Sequence, residues 1–355
     1  MTEKINSFEI DSHKLMYHPE RVSQWKNNYD CAPIYVEIGP TNVCNHRCVF
    51  CALDWVNRDA TYIDKDTMMD NLEDMAKLGV KSIMFAGEGE PLLHKNIADF
   101  VKQAKTNGID VAITTNGVVF DPKLAEKVLP YLSWIRFSVD AGTKQTHAKI
   151  HGTHASDFDR LVSNIESTAN IIRTNNYDAT FGVQMLLLNQ NKAEAETLTK
   201  MAKQYGVHNI QIKPYSHHDK SSNDFEVNYN ELTELEKVLL KHSDENFKVI
   251  YRTTSMNRLD IQREYTSCHG LNFFALLDAK GNVIPCNLFY ENPDFYYGNI
   301  NEQKFSEIWK SNDKEKIMQK INENGVSECR ASCRLDKINM YLDRLKNPLP
   351  HDNFI

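Results

Sequence analysis

The sequence predicts an α/β fold built on a barrel of parallel strands, or on part of one. Six short runs rich in β-branched and aromatic residues precede residue 214, and amphipathic segments of helical period separate them. Strands that alternate with helices pair in parallel through right-handed crossovers, which gives this architecture. In such barrels the chemistry lies on the loops that follow the carboxyl ends of the strands.

The element bounds follow from the same runs. The strands are predicted at Ile34–Ile38, Lys81–Phe85, Asp110–Thr114, Trp134–Val139, Thr180–Leu187 and Asn209–Ile212, and the helices at Asp66–Leu78, Ile97–Thr106, Pro122–Leu129, Phe158–Arg173 and Ala193–Tyr205. Polar residues 216–227 predict a linker or exposed loop, followed by a helix at Glu231–Lys241, a β region at Phe273–Pro285 and a helical tail. We therefore expect an N-terminal extension over 1–30, a core domain over 31–215 and a smaller α+β domain over 216–355.

Composition and charge limit the classes of protein to which the chain can belong. Its 355 residues carry a formal net charge of −7, with acidic and basic residues interspersed. Nucleic-acid-binding proteins present a basic stripe, so no nucleic-acid partner is expected. No apolar run approaches the roughly 20 residues that cross a bilayer, and the first residues lack a secretory pattern. We expect a cytoplasmic protein without a membrane partner.

Three cysteines follow the first predicted strand with the spacing C-x3-C-x2-C: Cys44, Cys48 and Cys51. Three thiolates can ligate three irons of a [4Fe–4S] cube and leave the fourth iron open, much as catalytic zinc keeps one position open. A zinc site would need a fourth ligand, and His46, inside the loop, is poorly placed to supply it. The loop is therefore predicted to hold a [4Fe–4S] cluster with one open iron.

This loop resembles that of the radical S-adenosylmethionine (SAM) superfamily, whose signature is CxxxCx-aromatic-C after the first strand of a partial barrel. Cys44, Cys48, Phe50 and Cys51 match that signature. The resemblance implies a partial (β/α)6 TIM-like barrel, SAM bound to the open iron, and Phe50 near the adenine. It also implies reductive cleavage of SAM to a 5′-deoxyadenosyl radical that abstracts hydrogen from the substrate, with a flavodoxin- or ferredoxin-type electron donor.

A glycine-rich turn after the second strand is similar to the part of that family that holds SAM. Gly87, Gly89, Glu90 and Pro91 match the family's GxGEP motif, whose backbone groups hold the methionine ammonium. A Cβ at the glycines would block the close approach of a ligand to the backbone. Glu90 can add a charge-assisted hydrogen bond to a cation.

Polar residues at the ends of strands three to five resemble family segments that face the cluster and the ribose. They are Thr115, Asn116, Ser138, Asp140 and Gln184. Ser138 and Asp140 occupy alternate positions, so both are expected on the inner face of the strand. The alternative for each is an ordinary strand-end turn.

Four more cysteines lie towards the C-terminus: Cys268, Cys286, Cys329 and Cys333. The spacing of the last two predicts that they share one face of a helix. Four thiolates can ligate a second [4Fe–4S] cube completely, or a structural zinc ion.

The residues around this second group resemble the SPASM domain, or its shorter relative the twitch domain. The resemblance rests on Gly281-x4-Cys286, Tyr297–Ile300 and Phe305–Trp309. It implies an auxiliary [4Fe–4S] cluster. Full SPASM domains usually have seven cysteines and two clusters. This chain departs from that pattern, because it has four cysteines in the region, so we expect one auxiliary cluster.

The expected reaction is dehydrogenation or epimerisation of a small polar substrate such as a sugar, an aminocyclitol or a sugar nucleotide, with the auxiliary cluster as electron conduit. Epimerisation needs a hydrogen donor, and the remaining thiol, Cys31, precedes strand one and is expected in the core. Peptide-modifying relatives often carry an added N-terminal domain, for which residues 1–33 leave little room. A peptide maturase and a non-catalytic iron–sulfur or zinc electron carrier remain as alternatives.

Several other residues are candidates for contact with the substrate. They are His147, His151, Lys213, Arg252, Arg263 and Tyr290. His151 is the weak candidate for a catalytic role, because it follows strand four at the expected edge of the active site. Lys213, at the end of strand six, would meet a carboxylate or lie on the surface.

Overall fold

Residues 13–27, 31–259 and 262–354 are described by a computed structural model. Residues 1–12 and 28–30 of the expected N-terminal extension lie outside the described part. Its described part contains helix α1 (Pro19–Lys26), whose Val22 and Trp25 pack against Phe273 and Leu342 in a small apolar cluster.

A ten-stranded sheet organises the chain, with the strand order β10-β9-β8-β1-β2-β3-β4-β5-β6-β7. The strands are β1 (Tyr35–Ile38), β2 (Ser82–Phe85), β3 (Asp110–Thr115), β4 (Trp134–Ser138), β5 (Thr180–Leu187), β6 (Asn209–Pro214), β7 (Lys248–Tyr251), β8 (Phe274–Leu277), β9 (Asn282–Ile284) and β10 (Gly298–Asn299). The pairs from β8 through β1 to β7 are all parallel, and the pairs β8–β9 and β9–β10 are antiparallel.

The remaining α-helices are α2 (Lys65–Leu78), α3 (Ile97–Thr106), α4 (Pro122–Val128), α5 (Lys144–His151), α6 (Ala155–Asn175), α7 (Ala195–Gln204), α8 (Thr233–Leu240), α9 (Thr253–Asn257), α10 (Phe305–Trp309), α11 (Asn312–Asn324) and α12 (Asp336–Lys346). Local chemistry sets their ends. Helix α2, for example, begins at the side-chain cap of Asp64 and ends at Gly79 with a φ of 104°. No helix in the described ranges combines the length and hydropathy needed to traverse a lipid bilayer.

Alternation along the strands separates the two faces of the sheet. In β1, β2 and β4 every second residue is fully buried against the helices, for example Ile38, Phe85 and Phe137, and the residues between them are partly exposed on the inner face. This period of two places the polar residues of several strands in one lumen.

The structure confirms the predicted α/β class and the six predicted strands, and the parallel sheet continues by one strand at each end, β8 and β7. β7 was not predicted, because its four residues lack a long apolar run. β8 and β9 form the predicted β region as an antiparallel hairpin, and β8 pairs in parallel with β1. The strands of the C-terminal part therefore continue the sheet of the barrel.

Candidate active site

The loop that carries Cys44, Cys48 and Cys51 follows the carboxyl end of β1 and is anchored to the end of α5. The amides of Arg47 and Val49 donate to the carbonyls of His151 and Ile150, at 2.9 and 2.8 Å. Gly152 ends α5 with a φ of 56°, and a Cβ there would lie 2.3 Å from the Arg47 carbonyl oxygen. The close packing of the two backbones fixes the position of the cysteine loop.

The chemistry of this loop fits a metal cluster. All eight cysteines are free thiols. Burial, and then the charges of Cys51 and Cys44, raise the pKa of Cys48 well above its usual value. Such a thiolate is stable only when a cation or a cluster shares its charge. Arg58 adds a positive charge 3.8 Å from the Cys51 sulfur, and its guanidinium also donates to the Glu88 carbonyl.

His151 lies behind the cysteine loop. Its ring is 1% exposed, its Nδ1 is 3.3 Å from the Cys48 sulfur, and its Nε2 is 3.2 Å from the Val139 carbonyl oxygen. Together with His46 and Cys48 it forms the one group of three possible metal ligands within 4.8 Å of one another in the described residues. A single ion bound there would use Cys48 as a ligand, so Cys48 could not ligate a cluster together with Cys44 and Cys51. We therefore interpret His151 as a residue that positions the loop rather than as a metal ligand.

The GxGEP segment packs directly on the cysteine loop. A Cβ on Gly89 would lie 2.3 Å from the Thr41 carbonyl oxygen, and one on Gly87 would lie 2.9 Å from the Gly39 Cα. The Glu90 amide donates to the Val43 carbonyl at 2.8 Å. At these positions the neighbouring backbone by itself requires glycine, whatever ligand the turn binds.

We expect Gly89→Ala to disturb the cysteine loop. An overpacked contact of this kind costs about 1–3 kcal/mol of unfolding free energy, because rigid backbone must move. Thermal unfolding and the iron content after reconstitution measure the effect. The matched control is Gly108→Ala: Gly108 has a φ of 84° with open space around its Cβ position, so that variant carries only backbone strain. Equal iron content in both variants would contradict the prediction.

Glu90 joins this segment to the end of β3. Its carboxylate accepts hydrogen bonds from the Thr115 hydroxyl at 2.6 Å and from the Asn116 amide at 2.8 Å. Burial raises the pKa of Glu90 to about 7. The Asn116 side chain donates to Asn45 in the cysteine loop at 2.7 Å. The predicted residues Glu90, Thr115 and Asn116 thus lie together beside the loop.

A polar row crosses the inner face of β4, β5 and β6. The Gln184 amide donates to the Ser138 hydroxyl, and the Lys213 ammonium donates to the Gln184 carbonyl oxygen, both at 2.8 Å. Asp140 lies beyond the end of β4 at Ser138 and has a φ of 59°. Its carboxylate accepts from the Leu186 amide at 2.6 Å.

The second cysteine group comes together between β9, the segment before β8 and the loop that precedes α12. Burial, and then the neighbouring thiols, raise the pKa of Cys268 to about 12. Donors nevertheless face two of the sulfurs: the Asn339 amide at 3.3 Å from Cys268, and the Leu335 backbone N–H at 3.4 Å from Cys333. N–H groups directed at buried sulfurs suit thiolate ligands of a cluster.

The predicted helix through Cys329 and Cys333 is wrong. Both residues lie in the irregular segment between α11 and α12. Here side chains take the carbonyls that a helix would use: the Arg263 guanidinium donates to the carbonyl of Cys329 at 3.1 Å, and the Ser216 hydroxyl donates to that of Ala331 at 2.7 Å. Arg263, a candidate for contact with the substrate, therefore holds this loop.

The spacing of the sulfurs favours a cube over zinc. Four sulfurs at about 2.3 Å from a tetrahedral zinc would lie about 3.8 Å from one another. No three of the C-terminal sulfurs, all within described residues, lie within 4.8 Å of one another. A cube separates its ligands more widely, because each binds a different iron.

A segment that we call the bridging segment, residues 216–223, connects the two cysteine groups. Near one end, Ser216 donates to the Ala331 carbonyl in the second group. At the other end, the side chain of Asn223 donates to the Cys51 carbonyl at 3.4 Å. The stretch predicted as a linker or exposed loop is thus hydrogen-bonded to both groups.

Comparison with protein families decides the identity of this arrangement. Residues 38–202 match the radical SAM superfamily, and residues 268–334 match the SPASM iron–sulfur cluster-binding domain. The chain is a radical SAM enzyme with a C-terminal SPASM domain. Its cofactors are SAM and two [4Fe–4S] clusters.

This radical SAM enzyme is similar to individual proteins whose names give different activities. It is 23% identical over 301 residues to an AdoMet-dependent heme synthase of Methanosarcina barkeri, covering 79% of this chain and 83% of the relative. A GTP 3′,8-cyclase of Chlorobaculum tepidum is 37% identical over 118 residues, which cover 33% of this chain and only 36% of the cyclase. The crystal structure of Streptococcus suis SuiB bound to S-adenosylmethionine has a TM-score of 0.67 at 18% identity, covering 98% of this chain and 83% of SuiB. At that identity the likeness shows the fold alone.

Other candidate residues of this radical SAM enzyme are buried or partly buried. His147 is fully buried and stacks on His151 at 4.3 Å between ring centroids, and Tyr290 is buried. Cys31 is partly buried beside the apolar cluster of α1, and burial raises its pKa to about 11. Sequence reasoning missed Arg58, because the irregular segment between the cysteines and α2 has no periodic signal that would assign its side chains.

Proposed function

We propose that this radical SAM enzyme dehydrogenates a small polar substrate that binds in the barrel lumen. The polar row of Ser138, Gln184 and Lys213 is the observation that carries the proposal, since it crosses the lumen from the carboxyl end of β4, over the middle of β5, to the carboxyl end of β6. Ends of barrel strands are where such enzymes place their reacting groups. Cys44, Cys48 and Cys51 would hold the first cluster, and Cys268, Cys286, Cys329 and Cys333 the second.

When bound, the first cluster would supply the electron that cleaves SAM, and the second would accept the electron that the substrate radical releases as it loses a proton and becomes the oxidised product. The chain's own residues bring the two sites together: the bridging segment bonds to the Cys51 carbonyl and to the loop of Cys329 and Cys333. Dehydrogenation is favoured over epimerisation by the place of Cys31. This one thiol outside the two groups precedes the amino end of β1, whereas the cysteine loop follows its carboxyl end.

Anaerobic purification and reconstitution test the proposal. We expect about eight irons per chain, and 5′-deoxyadenosine after addition of dithionite and SAM. Incubation with SAM should also change the electron paramagnetic resonance signal of the reduced first cluster. Iron-loaded protein that neither forms 5′-deoxyadenosine nor changes its signal would be an electron carrier, and the proposal would be wrong.

A further inference from the structure

Three basic residues meet on the inner face of the barrel. Arg136 lies two residues before Ser138 on the same face of β4, and Lys213 ends the polar row on β6. Arg252 follows β7, and its amide donates to the Ile212 carbonyl at 2.9 Å, next to Lys213. We call Arg136, Lys213 and Arg252 the basic cluster.

Within the described residues, none of the three forms an ion pair with a carboxylate. Arg334, which also lies nearby, is neutralised by Glu37. By contrast, the Nε of Arg136 is shielded from solvent without a hydrogen-bond acceptor, and its guanidinium lies 4.7 Å from the centroid of the Trp134 ring. In the described part of the chain, the Lys213 ammonium donates to the oxygen of the neutral Gln184 amide.

Uncompensated positive charge in a partly buried lumen is unfavourable. The consequence is visible at Lys213, because burial, followed by the charges of three nearby arginines, lowers its pKa well below the usual value. The acid whose charge acts on Lys213 is Asp140, whose Oδ1 accepts from the Leu186 amide and whose Oδ2 lies 3.3 Å from His151 Nε2; its charge does not offset the burial and the three arginines. The basic cluster therefore needs more negative charge than the protein provides, and a bound anionic ligand can supply it.

We propose that the basic cluster binds an oxyanion of the substrate, a carboxylate or a phosphate, and so orients its C–H bond in the lumen. This inference rests on the proposed function, because it assigns the substrate of the same site. Arginine and lysine are the side chains that bind such anions through charge-assisted hydrogen bonds. The carboxylate of SAM is the other possible source of the same chemistry.

Calorimetric titration of the reconstituted enzyme with inorganic phosphate and with succinate, each with and without SAM, tests the inference. We expect saturable binding of at least one anion that persists when SAM is bound, and no binding of glucose. Lys213→Gln should weaken binding about tenfold or more. Should that variant not fold, as judged by circular dichroism, Arg136→Gln serves in its place. The exposed Lys200, which pairs with Glu196, supplies the control Lys200→Gln, with unchanged binding.

Three results would overturn the inference. Binding that SAM abolishes would assign the basic cluster to the SAM carboxylate. The absence of anion binding, or equal binding in the variants, would remove the oxyanion site. These titrations need no radical chemistry. A negative result in them would therefore overturn the inference without bearing on the 5′-deoxyadenosine assay that tests the proposed function.

Discussion

Replacement of Cys48 by alanine should reduce formation of 5′-deoxyadenosine to the background of the assay. Cys48 is the central thiol of the loop after β1, and its sulfur lies against the buried ring of His151. Two thiolates cannot keep a cube in place while its fourth iron stays open for SAM. Iron should therefore fall from about eight to about four per chain. Iron analysis and chromatographic detection of 5′-deoxyadenosine measure both effects.

The control for this variant is Cys31→Ala. Cys31 is equally a free thiol but lies beside α1, before the amino end of β1. The Cys31→Ala variant should keep both clusters and should still cleave SAM. If Cys48→Ala retained 5′-deoxyadenosine formation, or if Cys31→Ala lost it, the assignment of the first cluster to this loop would be wrong.

The parts of the site that the sequence predicts are those fixed by local chemistry. The spacing of Cys44, Cys48 and Cys51 is set within eight residues, so the loop can be interpreted without knowledge of the fold. The inward polarity of Ser138 and Gln184 follows from the period of two along a strand. The structure indeed joins these two side chains across β4 and β5.

The features that the sequence does not predict depend on distant partners or on single backbone angles. The Cys329 loop is not helical because Arg263, 66 residues away in the chain, takes its carbonyl. β4 ends two residues before Asp140, whose positive φ is a single backbone angle that no residue pattern predicts. The bridging segment looks like a linker because its bonds are made to backbone carbonyls, which carry no sequence signal. The role of the glycines in GxGEP is likewise set by contacts with the Thr41 and Gly39 backbones.

Cys286→Ala should remove the second cluster and leave the first. Burial raises the pKa of Cys286 well above its usual value, and its neighbours are the three other thiols of the second group. Iron should fall from about eight to about four per chain, as in Cys48→Ala. The two variants should differ in chemistry: Cys286→Ala should still cleave SAM without substrate, but it should not form an oxidised product, because the electron acceptor is missing.

Electron paramagnetic resonance distinguishes this result from general damage. The bridging segment bonds to the loop of Cys286 through His218, whose Nε2 is 3.2 Å from the Asn287 carbonyl oxygen. This contact is the route by which loss of the second cluster would disturb the first. His218→Ala is therefore the matched control, since it removes the contact and keeps all seven proposed ligands. If Cys286→Ala keeps the SAM-dependent signal of the first cluster, the effect is confined to the second. Retention of all the irons, or one bound zinc in the wild-type enzyme, would contradict the assignment of an electron-accepting cluster to these four cysteines.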